Sequence, residues 1–161
     1  SAGSRRGRRG RREASESPMP YQRVLVPIDG SPGDEHALRV ALGLLRRGRA
    51  TVYLTYVVEV PQTLPLDAAL PAEEARGEAA IQRCEALCGG ERMPVEAVLL
   101  QARSAGAAIV DEAAQRAAEV IVMSVEGRHH RGEFTLGHTA PYVLKNAACE
   151  VCVLRRPLGG A

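Results

Sequence analysis

The stretch RVLVPID, residues 23–29, constrains this chain more than any other. Its apolar residues run on without alternating with polar ones. Both faces of the strand it forms must therefore be covered, as in a parallel sheet. The residues that follow, GSPGDEHALRVALGLLRR (30–47), supply a cover. Ser31 suits an N-cap, Pro32 the first helical position, and Asp34 completes a capping-box pattern. Ala37, Leu38, Ala41, Leu42 and Leu45 then recur at helical spacing. The next run, ATVYLTYVVEV (50–60), is rich in the β-branched and aromatic residues that strands favour.

The alternation continues to the end of the chain. PQTLPLDAALP (61–71) reads as a loop with three prolines, and EEARGEAAIQRCEALCGG (73–90) as a helix ended by a glycine pair. PVEAVLLQA (94–102) is a strand, SAGAAIVDEAAQRAA (104–118) a helix capped by Ser104, and EVIVM (119–123) a fourth strand. TAPYVLKNAA (139–148) is the last helix and EVCVLRR (150–156) the last strand. The order βαβαβαβαβ predicts one doubly wound α/β domain over residues 21–156, with a parallel five-stranded sheet and helices on both faces. Residues 1–20, small, charged and proline-containing, read as a disordered leader, and 157–161 as a short tail.

Charge separates these parts. RRGRRGRR (5–12) holds six of the 21 basic residues, which leaves 15 against 19 acidic ones in the rest. A mildly acidic body argues against nucleic acid as a partner. The basic leader has two readings, a solvated tail or a contact with an anionic lipid surface. No apolar run approaches the ~18 residues that span a bilayer, and the arginines are not followed by the apolar stretch of a secretory signal. A cytoplasmic chain with reduced thiols is the expectation. Cys84 and Cys88 stand i,i+4 on a helix, while Cys149 and Cys152 stand three apart at a strand and point to opposite faces, so no metal site is expected.

In an open parallel sheet, ligands bind beyond the carboxyl ends of the strands, where the winding reverses. Two such ends stand out. The first strand closes on Pro27-Ile28-Asp29-Gly30-Ser31, where Asp29 can accept hydrogen bonds from a sugar hydroxyl or cap the next helix. The fourth closes on Met123-Ser124 and runs into VEGRHHRGEFTLGH. At the far end of that loop, the amides of Gly137, His138 and Thr139 begin a helix, a place that favours anions. The chain has no GxGxxG after its first strand, no GxxxxGK[ST] and no GxSxG, which disfavours dinucleotide-dependent, P-loop and nucleophile-elbow enzymes. No nucleophile–base couple stands out either, so no catalytic residue is named.

VLVPIDGS before an Ala/Leu helix, together with Gly127-x9-Gly137 before a helix and the closing CEVCVLR, resembles the universal stress protein family across residues 21–156. The resemblance implies a non-catalytic regulatory domain that binds ATP or AMP, with Mg admissible alongside ATP. It also implies a homodimer paired through the last strand. In nucleotide-binding members the loop reads G-x2-G-x9-G-[ST]. Carried over by position, Asp29 matches the ribose-side acid and Pro27 the adenine-side neighbour, with Met123 beside them. Gly127 and Gly137 match the second and third glycines. Ser124 stands where the first glycine should be, and His138 where a Ser or Thr should be, with Thr139 next. Ser124 brings a Cβ and a hydroxyl to a place where a nucleotide lies flat, and His138 a bulky ring. Arg128, His129, His130 and Arg131 read as a solvated loop tip or as a screen for phosphates.

The acidic stretch LPLDAALPAEEARGEAAIQRCEAL and the RSAGAAIVDEA helix are also similar to stress-protein domains fused behind the membrane part of bacterial amino-acid permeases. That resemblance implies a transporter body joined through the Arg-rich leader. A nucleotide-independent dimerisation domain with a lapsed pocket is the competing expectation.

Overall fold

A computed structural model describes residues 20–130 and 133–156, and side chains for these except at 128–130 and 133–135. Residues 1–19 of the expected leader, the 157–161 tail, Arg131 and Gly132 lie outside the described residues. The elements are β1 (Arg23–Ile28), α1 (Gly33–Leu44), β2 (Thr51–Glu59), α2 (Pro71–Gly90), β3 (Val95–Ala102) and α3 (Ala105–Gln115). They continue with β4 (Val120–Val125), β5 (Arg128–His130), β6 (Glu133–Thr135), α4 (Thr139–Asn146) and β7 (Glu150–Arg155). The main sheet has five strands in the order β3-β2-β1-β4-β7, every pair parallel. β5 and β6 form a separate antiparallel ribbon.

The non-alternating run at β1 is explained by what covers it. Val24, Val26 and Ile28 pack with Ala37, Leu38 and Ala41 of α1 and Ala80, Ile81, Cys84 and Cys88 of α2. Leu25 points the other way, into a second cluster with Ile109 and Ala113 of α3 and Ala140 and Val143 of α4. Val24, Leu25 and Val26 have no solvent exposure. Each such side chain contributes about 1.5–3 kcal/mol relative to leaving it in water. Cys149 packs on the second cluster and Cys152 on the first, as a three-residue spacing along a strand requires. Among the described residues no helix is long and apolar enough to cross a membrane.

Several local expectations are corrected. β4 runs to Val125, two residues beyond Met123, because Ser124 and Val125 pair with Leu154 and Arg155 of β7. The stretch after it is a β-ribbon rather than an open loop. Gly89 and Gly90 lie within α2, and the left-handed residue that ends it is Arg92, at φ 53°. Ser104 precedes α3 without a side-chain cap; the Glu59 carboxylate accepts the Ala105 N–H instead, at 3.0 Å. The expected capping box at α1 also fails to form, because Asp34 reaches further back along the chain.

The winding reverses between β1 and β4. The two strands pair only at Val24–Val120 and Leu25–Ile121, whereas β1 and β2 pair over six residues. Beyond that short ladder the first turn of α1 lies against the end of β4. A Cβ placed on Gly33 would stand 2.6 Å from Ser124 Oγ and 3.0 Å from Ser124 Cβ. Gly33 therefore makes the room that Ser124 fills. Gly33→Ala should destabilise the fold by about 1–3 kcal/mol through overpacking. In a Ser124→Gly background most of that cost should vanish, as read from urea unfolding midpoints in a double-mutant cycle. Equal costs in both backgrounds would contradict the contact.

Candidate functional site

A cleft of about 330 Å³ opens over the carboxyl ends of β1, β2 and β4, at the reversal point. Pro27 and Asp29 enter from β1, Thr55 and Val57 from β2, Ile109 from α3, and Met123, Ser124 and Val125 from β4. Gly137, His138 and Thr139 close it at the start of α4. The cleft thus gathers Pro27, Asp29, Met123, Ser124, Gly137, His138 and Thr139 from separate stretches of sequence. Gly127 is not among its lining residues. Val125 and Glu126 still line the cleft, and the chain leaves it at Gly127, which leads into β5.

The tip of β1 is held by the first turn of α1. The Asp34 carboxylate accepts the N–H of Asp29 at 3.0 Å through Oδ1 and that of Gly30 at 2.8 Å through Oδ2. The Ser31 N–H donates to Asp29 Oδ1 at 2.9 Å, folding the turn onto its own acid. Asp29 remains exposed at the rim, whereas Asp34 is buried beneath it. Burial pushes Asp34 up from 3.8 to about 6; the neighbouring Asp29 carboxylate adds to the rise and the two N–H bonds oppose it.

The opposite rim is made of backbone. Gly137 has φ +74°, a left-handed conformation that lets the chain turn sharply into α4. His138 occupies the N-cap position without a side-chain capping bond, and α4 begins at Thr139. Buried Ala140 and Val143 anchor this short helix to the sheet. The first amides of such a helix have no intrahelical acceptor, and their partial positive charge favours an anion.

Ser124 does not obstruct the cleft as the sequence suggested. Along β4, Val120 and Val122 face α1 and α2, while Ile121, Met123 and Val125 face α3 and α4. By that alternation the Ser124 side chain faces α1, toward Gly33. Its residue is half-buried, yet its hydroxyl is buried and lacks a hydrogen-bond partner. Thr55 Oγ1 is in the same position. Among the described residues these are the two buried side-chain polar atoms without a partner, and both belong to residues of the cleft. An orphaned buried hydroxyl costs about 1–3 kcal/mol.

Thr55 and Asp34 were missed as site residues from sequence. Thr55 lies inside a strand with no motif around it, and Thr51, Tyr53 and Tyr56 of the same run carry hydroxyls too, so nothing local singles it out. Asp34 was legible only as a helix cap. The long β2–α2 connection does not line the cleft. Arg103 Nη1 donates to the carbonyl of Leu64 at 2.8 Å, and Gln101 Nε2 to that of Ala68 at 2.7 Å, so β3 and its end hold this segment aside.

The raised Asp34 has a stability consequence. Its native form holds the proton more firmly than the unfolded chain does. Its contribution to stability is therefore fully present below the ordinary carboxylate range and is lost as pH rises through about 6. Melting temperatures taken from about pH 7 down to about pH 5 should show the wild type gaining on Asp34→Asn. Parallel curves for the two proteins would contradict this reading.

Comparison with known proteins agrees with this fold. A universal stress protein of Methanocaldococcus jannaschii is 28% identical over 147 residues, spanning 85% of this chain and 84% of that one. The universal stress protein of Archaeoglobus fulgidus superposes with a TM-score of 0.69 at 21% identity, covering 83% of this chain and 98% of its own. A universal stress protein of Archaeoglobus fulgidus in complex with dAMP gives a TM-score of 0.65 at 20% identity, covering 83% of this chain and 97% of its own. A universal stress family protein of Arabidopsis thaliana with AMP bound gives 0.61 at 16% identity, covering 85% and 93%. At these identities the superpositions show a shared fold. Residues 20–155 match the universal stress protein family, and the chain belongs to that family.

Proposed function

We propose that this chain is a non-catalytic regulatory domain that binds an adenine nucleotide, AMP or ATP, in the cleft over β1, β2 and β4. The observation that carries the reading is an orphaned hydroxyl, Thr55 Oγ1, on a residue that lines that cleft. A stable fold tolerates unpaired buried polar atoms where a ligand or water can meet them.

The cleft is graded in a way that suits a nucleotide. Pro27, Val57, Ile109 and Met123 are among the apolar residues of its lining, which suit a flat ring. Asp29 stands at the rim as an acceptor for sugar hydroxyls. His138 and Thr139 offer helix-start amides to a phosphate. The His138 ring in place of a hydroxyl leaves those amides in place, and Mg would accompany ATP rather than a protein cluster. Relatives of the same fold were solved with dAMP and with AMP. We read the site as one of binding; its lining offers the carboxylates of Asp29, Asp34 and Glu126, the His138 ring and several hydroxyls.

A homodimer paired through β7 completes the reading. β7 is an edge strand of the sheet, and its Val151, Cys152, Val153 and Leu154 are only partly covered.

Isothermal titration with AMP and with ATP should show saturable binding. Asp29→Ala should weaken it about tenfold or more, the worth of a hydrogen bond to a charged group. Light scattering on the same samples should give twice the chain mass. Heats no larger than dilution, on folded wild-type protein, would overturn the nucleotide reading, and a monomer would overturn the dimer.

A further inference from the structure

Thr55 occupies an unusual place in the cleft. It is 1% exposed and sits mid-strand in β2, which is bounded by β1 on one side and β3 on the other. Its registry partners are Pro27 and Val98. The backbone of β2 is therefore committed to the sheet ladder on both sides. What remains free at this depth is the side chain. Tyr53 and Val57, two residues before and after, pack toward α3 and α4, while Leu54 packs toward α1 and α2. The strand alternation thus puts the Thr55 side chain on the face where the cleft opens.

Pro27, its register partner, and Val57, Ile109 and Met123 of the same lining carry no side-chain N–H or O–H. The charged and amide groups lie elsewhere, at Asp29 on the rim and at the start of α4. A β-branched residue of nearly the same shape, valine, would fill the position without leaving an orphan. A hydroxyl held dry with no partner favours a ligand that brings a polar edge into an otherwise apolar slot, which describes a nucleobase more closely than a sugar or a phosphate.

We infer that Thr55 is a specificity-determining residue of the cleft, its hydroxyl hydrogen-bonding the polar edge of the bound adenine ring. The inference rests on the nucleotide reading above and adds where the base lies and which side chain reads it. With no ligand, the hydroxyl is a liability to the fold; with the base bound, it is satisfied.

The two states give opposite signs for one substitution. Thr55→Val should raise the melting temperature of the ligand-free protein, because the orphan is removed. It should also weaken AMP binding about three- to tenfold in isothermal titration, the usual worth of one neutral hydrogen bond. Thr55→Ser, which keeps the hydroxyl, should bind AMP more tightly than Thr55→Val does. A loss of packing alone would lower stability and affinity together, so the opposed signs separate the two causes. Wild type and Thr55→Val binding AMP equally would overturn the role of Thr55 and leave the nucleotide reading standing. Thr55→Ser binding no better than Thr55→Val would overturn it as well. A wild-type protein that binds no AMP would overturn the nucleotide reading and this inference with it.

Discussion

The contact between Gly33 and Ser124 is the constraint on which the cleft depends. β1 and β4 pair for two residues and then part, at the point where the winding of the sheet reverses. The first turn of α1 occupies the space beneath that parting. It can come so close only because position 33 carries no Cβ, and the room is taken by the serine hydroxyl of β4. Position 124 is therefore filled from the α1 side, and the cleft on the α3–α4 side keeps its volume. One residue further along α1, Asp34 ties down the amides of Asp29 and Gly30 and so fixes the acid at the rim. Two neighbouring residues of one helical turn thus set both the shape and the polarity of the mouth.

The same turn stores an opposing cost. Burial, with a second carboxylate close by, raises the proton affinity of Asp34, and the buried hydroxyls of Thr55 and Ser124 lack partners. Such unfavourable terms concentrate where a fold serves a ligand rather than its own stability. The two apolar clusters on either face of the central strands supply the stability that tolerates them.

Much of the architecture was legible because its signals are local. The apolar run at Val24–Val26 demanded cover on two faces, and helical spacing at Ala37, Leu38 and Ala41 supplied it. Asp29 and the Gly137–Thr139 corner were legible because strand ends and helix starts carry recognisable residues. Ser124 was misjudged because its effect is decided by Gly33, 91 positions away, and no spacing rule links them. Gly127 enters the expected site only through the resemblance of the loop, and among the described residues it does not line the cleft but leads into β5. Thr55 could not be singled out, since a threonine in a strand is ordinary until its neighbours are known to be dry.

A crystal structure of the chain grown with AMP tests the central claim most directly. The account predicts density for the nucleotide in the cleft, base toward Thr55 and Ile109, phosphate at Gly137–Thr139, with Ser124 still facing Gly33. A Ser124 side chain rotated into the cleft, or AMP bound elsewhere on the molecule, would contradict it.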